Sequence, residues 1–100
     1  MGLFGKKEKS IEEVVKIKPA IIRGLLYDYV NQHDDDLSKH AALTYAKIDA
    51  DIRLLSSDAK TLIDILTFYI QKNENEGITS DNKQIISELR DMVKKLNRFL

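Results

Sequence analysis

Three polar side chains in the first half of the chain have the spacing of a metal site. His33, Asp36 and His40 follow one another at intervals of three and four residues, which would place them on one face of a helix. Imidazole and carboxylate groups on such a face can bind a transition metal. However, His33 precedes the expected start of its helix, and aspartates in this position typically cap helices. We therefore expect no bound metal or cofactor, and these three residues are only weak candidates.

A second set of side chains is basic and lies near the end of the sequence. Lys83, Arg90, Lys94 and Arg98 fall within an arc of about 80° on a helix with 100° per residue. Such a face could contact nucleic-acid phosphates or an acidic protein surface. The alternative is the ordinary solvated face of an amphipathic helix. Because the chain has 16 basic and 16 acidic residues, its zero net charge argues against nucleic acid as the favoured partner.

The N-terminal residues 1–9 combine glycines, lysines and two large apolar side chains, Leu3 and Phe4. Apolar and basic residues together could contact an anionic membrane transiently. Gly2 suits myristoylation, but Lys6 stands where that motif needs serine or threonine. We expect a flexible tail without a stable membrane anchor.

Motifs for catalysis are absent from the sequence. It has no glycine-rich phosphate loop and no nucleophile elbow, and it contains no cysteine. The chain is therefore not expected to be an enzyme. No apolar run approaches the roughly 18 residues of a membrane span, and no secretory signal is present, so we expect a cytoplasmic protein. Its 100 residues predict one domain over 10–100.

Helix signals begin directly after the tail. Ser10 and Glu13 match a capping box at the start of a helix. Pro19 should end or kink that helix and would suit the first position of a new one. Gly24 lies within the apolar stripe that follows, where it suggests the close approach of another helix.

The most regular pattern in the sequence predicts one long helix over 36–72. Apolar residues recur there at alternating steps of four and three. They are Ala41, Tyr45, Ile48, Ile52, Leu55, Ala59, Leu62, Leu66 and Tyr69. Ser56 and Ser57 could instead begin a new helix and divide this one. We favour the continuous helix because the heptad phase is unbroken and neither glycine nor proline interrupts it. The expected fold is an all-α antiparallel bundle on that helix, with three helices, or four if it is divided.

The segment 62–70 is apolar almost all round, and a helix of that kind must be buried on all sides. One copy of the chain has too few other helices to cover it, so we predict a homodimer. The predicted interface consists of Leu62, Ile63, Ile65, Leu66, Phe68, Tyr69 and Ile70.

The expected function is that of a non-enzymatic interaction or assembly protein. It would act through apolar helix faces and associate with itself. The alternative is a small nucleic-acid-associated protein that uses the basic face of its last helix.

Overall fold

The computed structural model describes residues 8–100, and the regular structure within that range is entirely helical. The prediction of an all-α protein is confirmed, but residues 8–100 form five α-helices and not the three or four that the sequence predicted. Helix α4 is the longest element and contacts α2, α3, α5 and the final 3-10 turn. The helices are α1 (Ile11–Ile17), α2 (Pro19–Gln32), α3 (Asp36–Asp49), α4 (Ser56–Glu76) and α5 (Lys83–Leu96), with the 3-10 turn at Asn97–Phe99.

The first two helices begin where the sequence predicts. The Ser10 hydroxyl accepts a hydrogen bond from the Glu13 amide at 3.2 Å, which caps α1. The Glu13 side chain accepts instead from the amide of Lys9, so the reciprocal bond of a capping box is displaced by one residue. Pro19 occupies the first position of α2, where its lack of an N–H group costs nothing.

Helix α3 begins with a complete capping box. The Asp35 carboxylate accepts from the Ser38 amide at 2.8 Å, and the Asp35 amide donates to the Ser38 hydroxyl at 3.0 Å. The aspartate run therefore supplies the cap, as expected, although the capping residue is Asp35 and Asp36 is the first helical residue.

The prediction of one continuous helix over 36–72 is wrong, because the chain leaves the helix after Asp49 and re-enters it at Ser56. The Ile52 amide donates to the Lys47 carbonyl at 2.8 Å, and the Asp51 amide donates to the Ile48 carbonyl at 3.2 Å. This pair of bonds is a Schellman C-cap. It needs a left-handed residue, usually glycine, and Asp51 supplies it with φ +57°.

The alternative break near Ser56 and Ser57 is therefore the one found, with Ser56 as the first residue of α4 rather than its cap. The Leu55 amide at the cap position donates to the Asp58 carboxylate at 2.8 Å. Two members of the apolar heptad series, Ile52 and Leu55, lie in the connection and are each 53% exposed. The series therefore crosses a loop without forming a buried seam there.

A second left-handed residue, Gly77 with φ +103°, ends α4. The connection that follows is closed by Asn82, whose side chain accepts from the Thr79 amide at 2.7 Å and donates to the Gly77 carbonyl at 3.0 Å. Asn82 also occupies the N-cap position of α5, directly before its first residue, Lys83.

The core is apolar and draws on every α-helix. Its fully buried large side chains include Leu26 from α2, Leu66 from α4 and Leu96 from α5. Gly24 does not serve a close helix contact, because a Cβ atom added there would meet nothing within 4 Å. Among residues 8–100, no helix combines the length and apolar character needed to cross a membrane.

Candidate binding surface

The carboxylate of Asp58 holds α3, the connection and α4 together. It is 5% exposed and accepts hydrogen bonds from the Thr44 hydroxyl at 2.8 Å, the Lys47 ammonium at 2.9 Å and the Leu55 amide at 2.8 Å. Both carboxylate oxygens therefore have donors, and the connection between the two helices is fixed at its α4 end.

Burial raises the pKa of Asp58, but the bonds from Leu55, Lys47 and Thr44 outweigh burial and hold the pKa below its ordinary value. The carboxylate is thus kept ionised and saturated with donors. We interpret Asp58 as a structural group, since its hydrogen bonds leave it poorly placed to exchange a proton with a ligand.

A groove of about 350 Å³ lies between α3 and α4, beside Asp58. Leu43 is on its wall with 63% of its surface exposed, and Leu37 is half-buried. The opposite wall carries an exposed ion pair between Lys60 and Asp64 at 2.8 Å. The groove thus combines apolar side chains with charges of both signs.

A smaller cleft of about 210 Å³ lies where the α3–α4 connection meets α1 and α2. Glu12 accepts a hydrogen bond from the Leu54 amide across this cleft, which ties α1 to the connection. Burial raises the pKa of Glu12, but the Leu54 N–H and other nearby donors outweigh it, so the pKa is lowered overall. Ile52 lines the cleft with 53% of its surface exposed.

Three large apolar side chains are thus displayed around the same helix–loop–helix unit. We call Leu43, Ile52 and Leu55 the apolar corner; they are 63%, 53% and 53% exposed. A single exposed apolar residue is ordinary, whereas a contiguous apolar patch indicates a surface that binds another molecule. Of the three side chains, Leu43 lines the α3–α4 groove and Ile52 lines the smaller cleft. The connection that presents two of them is fixed by Glu12 and Asp58.

The residues predicted to form a dimer interface lie mostly in the core of a single copy. Leu62, Ile65 and Leu66 are each 1% exposed, and Tyr69 and Ile70 are also buried. The other two, Ile63 and Phe68, are half-buried and pack against that core. One copy therefore covers the segment that was expected to need a second copy.

The three metal candidates are not brought together. Within residues 8–100, no group of three or more side chains of the metal-binding types has the geometry to hold an ion. The His33 imidazole stacks on Tyr29 with 3.9 Å between ring centroids, and its Nδ1 lies 3.2 Å from the Tyr29 carbonyl. Asp36 begins α3, while His40 lines the α3–α4 groove.

The four basic candidates are all exposed, but two of them have carboxylate partners within the chain. Arg90 forms an ion pair with Glu74 of α4. Arg98 lies in the 3-10 turn and pairs with Glu8 at 3.5 Å. Of the tail predicted over 1–9, residues 1–7 lie outside the described range.

Two tyrosine–aspartate pairs were not anticipated. The Tyr29 hydroxyl donates to Asp35 at 2.9 Å, and the Tyr69 hydroxyl donates to Asp28. Burial and the neighbouring carboxylates raise the pKa of both tyrosines. The heptad series indicated a core position for Tyr69, but no local signal connects Tyr69 with an aspartate 41 residues away.

The chain matches no protein-family model, no curated protein and no solved structure.

Proposed function

We propose that this protein is a non-enzymatic helical assembly protein, an antiparallel bundle that acts in the cytoplasm by binding a second copy of itself. The observation that carries the proposal is the exposure of the apolar corner, Leu43, Ile52 and Leu55, on a rigidly held helix–loop–helix unit. The proposed interface thus differs from the segment 62–70 that the sequence indicated.

Burial of the apolar corner supplies a driving force for association. A leucine or isoleucine moved fully out of water contributes about 1.5–3 kcal/mol, and these side chains are at present only about half covered. In a two-fold dimer each residue would be buried twice, once from each copy. Because Asp58 and Glu12 already fix the connection, little conformational entropy would be lost on binding.

Charge favours a second copy as the occupant. The chain has zero net charge, so two copies do not repel each other as whole molecules. A two-fold axis places a surface opposite itself, and such a surface must carry both signs of charge to be complementary. Lys60 and Asp64 on the wall of the α3–α4 groove meet that condition.

Sedimentation velocity over a concentration series tests the proposal. We expect the wild-type protein to reach twice the 11.5 kDa chain mass at tens of micromolar or above. The double variant Leu43→Lys/Leu55→Lys should weaken self-association by at least about tenfold, since it places charges in the interface. The matched control Gln71→Lys/Asn75→Lys adds the same charge at two exposed positions near the end of α4 and should leave association within about twofold.

A wild-type protein that stays monomeric at several hundred micromolar contradicts the proposal. So does equal weakening by the double variant and by its control, because that result would mean that net charge, and not the apolar corner, determines association. Circular dichroism of both variants establishes that each is folded before the masses are compared.

A further inference from the structure

The outer face of α5 carries a row of cations with an apolar groove along its flank. Lys83, Arg90 and Lys94 are exposed and lie within a narrow arc of the helix, and we call them the basic stripe. Beside the stripe, Ile78 and Ile86 line a groove of about 330 Å³ to which Lys83 and Arg90 also contribute. Ile78 is 60% exposed, so the groove presents apolar surface to solvent.

The two lysines of the stripe differ from Arg90 in their partners. Arg90 pairs with Glu74, whereas Lys83 and Lys94 form no ion pair with any residue between 8 and 100. The stripe thus offers two unneutralised ammonium groups and one guanidinium that already holds a carboxylate. A ligand that meets all three must bring negative charge and must reach about 16 Å along the helix, at 1.5 Å per residue.

From this combination we infer that the α5 face binds an acidic amphipathic peptide segment of a partner protein. Carboxylates of the segment pair with the basic stripe, and its apolar side chains enter the groove between Ile78 and Ile86. The binding site for this peptide is distinct from the self-association surface. It uses α5 and the α4–α5 connection, whereas the self-association surface uses α3 and the α3–α4 connection.

The apolar groove favours a peptide over nucleic acid. A phosphate backbone has no apolar group to cover Ile78, since nucleic-acid contacts are made mainly by cations and polar groups to phosphate and sugar. An amphipathic peptide covers both parts of the surface.

The spacing of the stripe defines the probe. Arg90 follows Lys83 by seven residues and precedes Lys94 by four, so a helical ligand needs glutamates at the same separations. We would use two fluorescein-labelled peptides of 16 residues, with glutamates separated by seven then four residues, or by four then seven. Leucines would occupy the adjoining face of each peptide. The two orders test the two directions in which the peptide can lie.

Fluorescence anisotropy at 50 mM and 300 mM salt then measures binding to the full-length chain. We expect at least one peptide to bind, with a loss of affinity at the higher salt. Lys83→Glu/Lys94→Glu should weaken binding about tenfold or more, and Ile78→Ser about fivefold. The control Lys16→Glu/Lys39→Glu changes the net charge equally at exposed positions of α1 and α3 and should change affinity by less than about twofold.

Binding of neither peptide overturns the inference, as does an unchanged affinity in Lys83→Glu/Lys94→Glu. An unchanged affinity in Ile78→Ser also overturns it, because the site would then be a polyanion surface without an apolar groove. Tighter binding of a 20-nucleotide oligothymidine than of either peptide would assign the face to nucleic acid instead. Sedimentation of the same variants shows whether self-association is intact, which separates failure here from failure of the proposed dimer.

Discussion

Replacement of Gly24 by alanine is expected to stabilise the protein by about 1 kcal/mol. Gly24 lies inside α2, is exposed, and has open space where a methyl group would be placed, with nothing within 4 Å. The gain arises because alanine loses less backbone entropy than glycine on entering a helix. For a domain of this size, 1 kcal/mol corresponds to a rise in melting temperature of about 4–8 °C.

Gly77→Ala is a matched control for this substitution. A Cβ atom at Gly77 would also meet nothing within 4 Å, so the two positions offer the same space. They differ in backbone conformation, since Gly77 has φ +103° and Gly24 is helical. The left-handed conformation costs a residue with a Cβ atom about 1–2 kcal/mol, so Gly77→Ala should destabilise the protein.

Urea denaturation, followed by circular dichroism at low micromolar concentration, measures both free energies of unfolding. Opposite signs for the two variants agree with the reasoning. No gain, or a loss, in Gly24→Ala at this concentration would refute it, because the open space at Gly24 should accept a methyl group without cost. Repeating the measurement at high concentration shows whether a second copy contacts this position.

Three further changes have defined outcomes. Asp51→Gly should raise the free energy of unfolding by about 1 kcal/mol in urea, because it relieves a left-handed residue at φ +57°, and a loss of stability would contradict the Schellman cap. Asp58→Asn should lower the free energy of unfolding by about 3 kcal/mol. Thr44→Val removes one of the three hydrogen-bond donors to Asp58 and should lower it by about 1 kcal/mol. Equal losses in the two variants would contradict a network centred on Asp58. The pKa values of Asp58 and Glu12 are lower in the folded than in the unfolded chain. The two carboxylates therefore contribute fully to the free energy of unfolding above their unfolded pKa values, near pH 4. This contribution is lost as the pH falls through their folded pKa values. The melting temperature should therefore decline from pH 6 to pH 3, and it should decline less steeply in Asp58→Asn. A slope that this substitution leaves unchanged would refute a lowered pKa of Asp58 in the folded chain.

The starts of α1, α2 and α3 were predicted from short-range chemical signals. Ser10, Pro19 and the aspartates before α3 each act within four residues of their position, and each does in the structure what its chemistry predicts. The end of α3, which has neither glycine nor proline, was not predicted. Asp51 adopts the conformation that glycine usually supplies, and nothing in the spacing of apolar residues distinguishes it from a helical aspartate.

The heptad series shows why regular spacing alone overestimated the central helix. Ile48 and Ala59 belong to different helices, and the intervening Ile52 and Leu55 keep the phase while lying in an exposed connection. Spacing records how residues would align in a helix but does not show that the helix is formed. The exposure of Leu43, by contrast, could have been inferred, since it stands outside the series on α3.

Long-range contacts were beyond sequence reasoning. The burial of 62–70 within one copy depends on how α2, α3 and α5 surround α4, which a count of apolar residues does not reveal. The bond from Tyr69 to Asp28 likewise joins residues that only the packing of α4 on α2 brings together. The residues singled out from the sequence therefore have partners in the structure that only the tertiary arrangement determines.

The tie between Glu12 and the Leu54 amide also affects the order in which the molecule assembles. Helix α1 has seven residues, fewer than the roughly 12 that an isolated helix needs to persist in water. It is held by this bond and by its packing on α2 and on α5, which is the last α-helix of the chain. During synthesis the packing of α1 is therefore complete only after α5 has been made. In the finished protein its amides should be among the first helical ones to exchange with solvent deuterium.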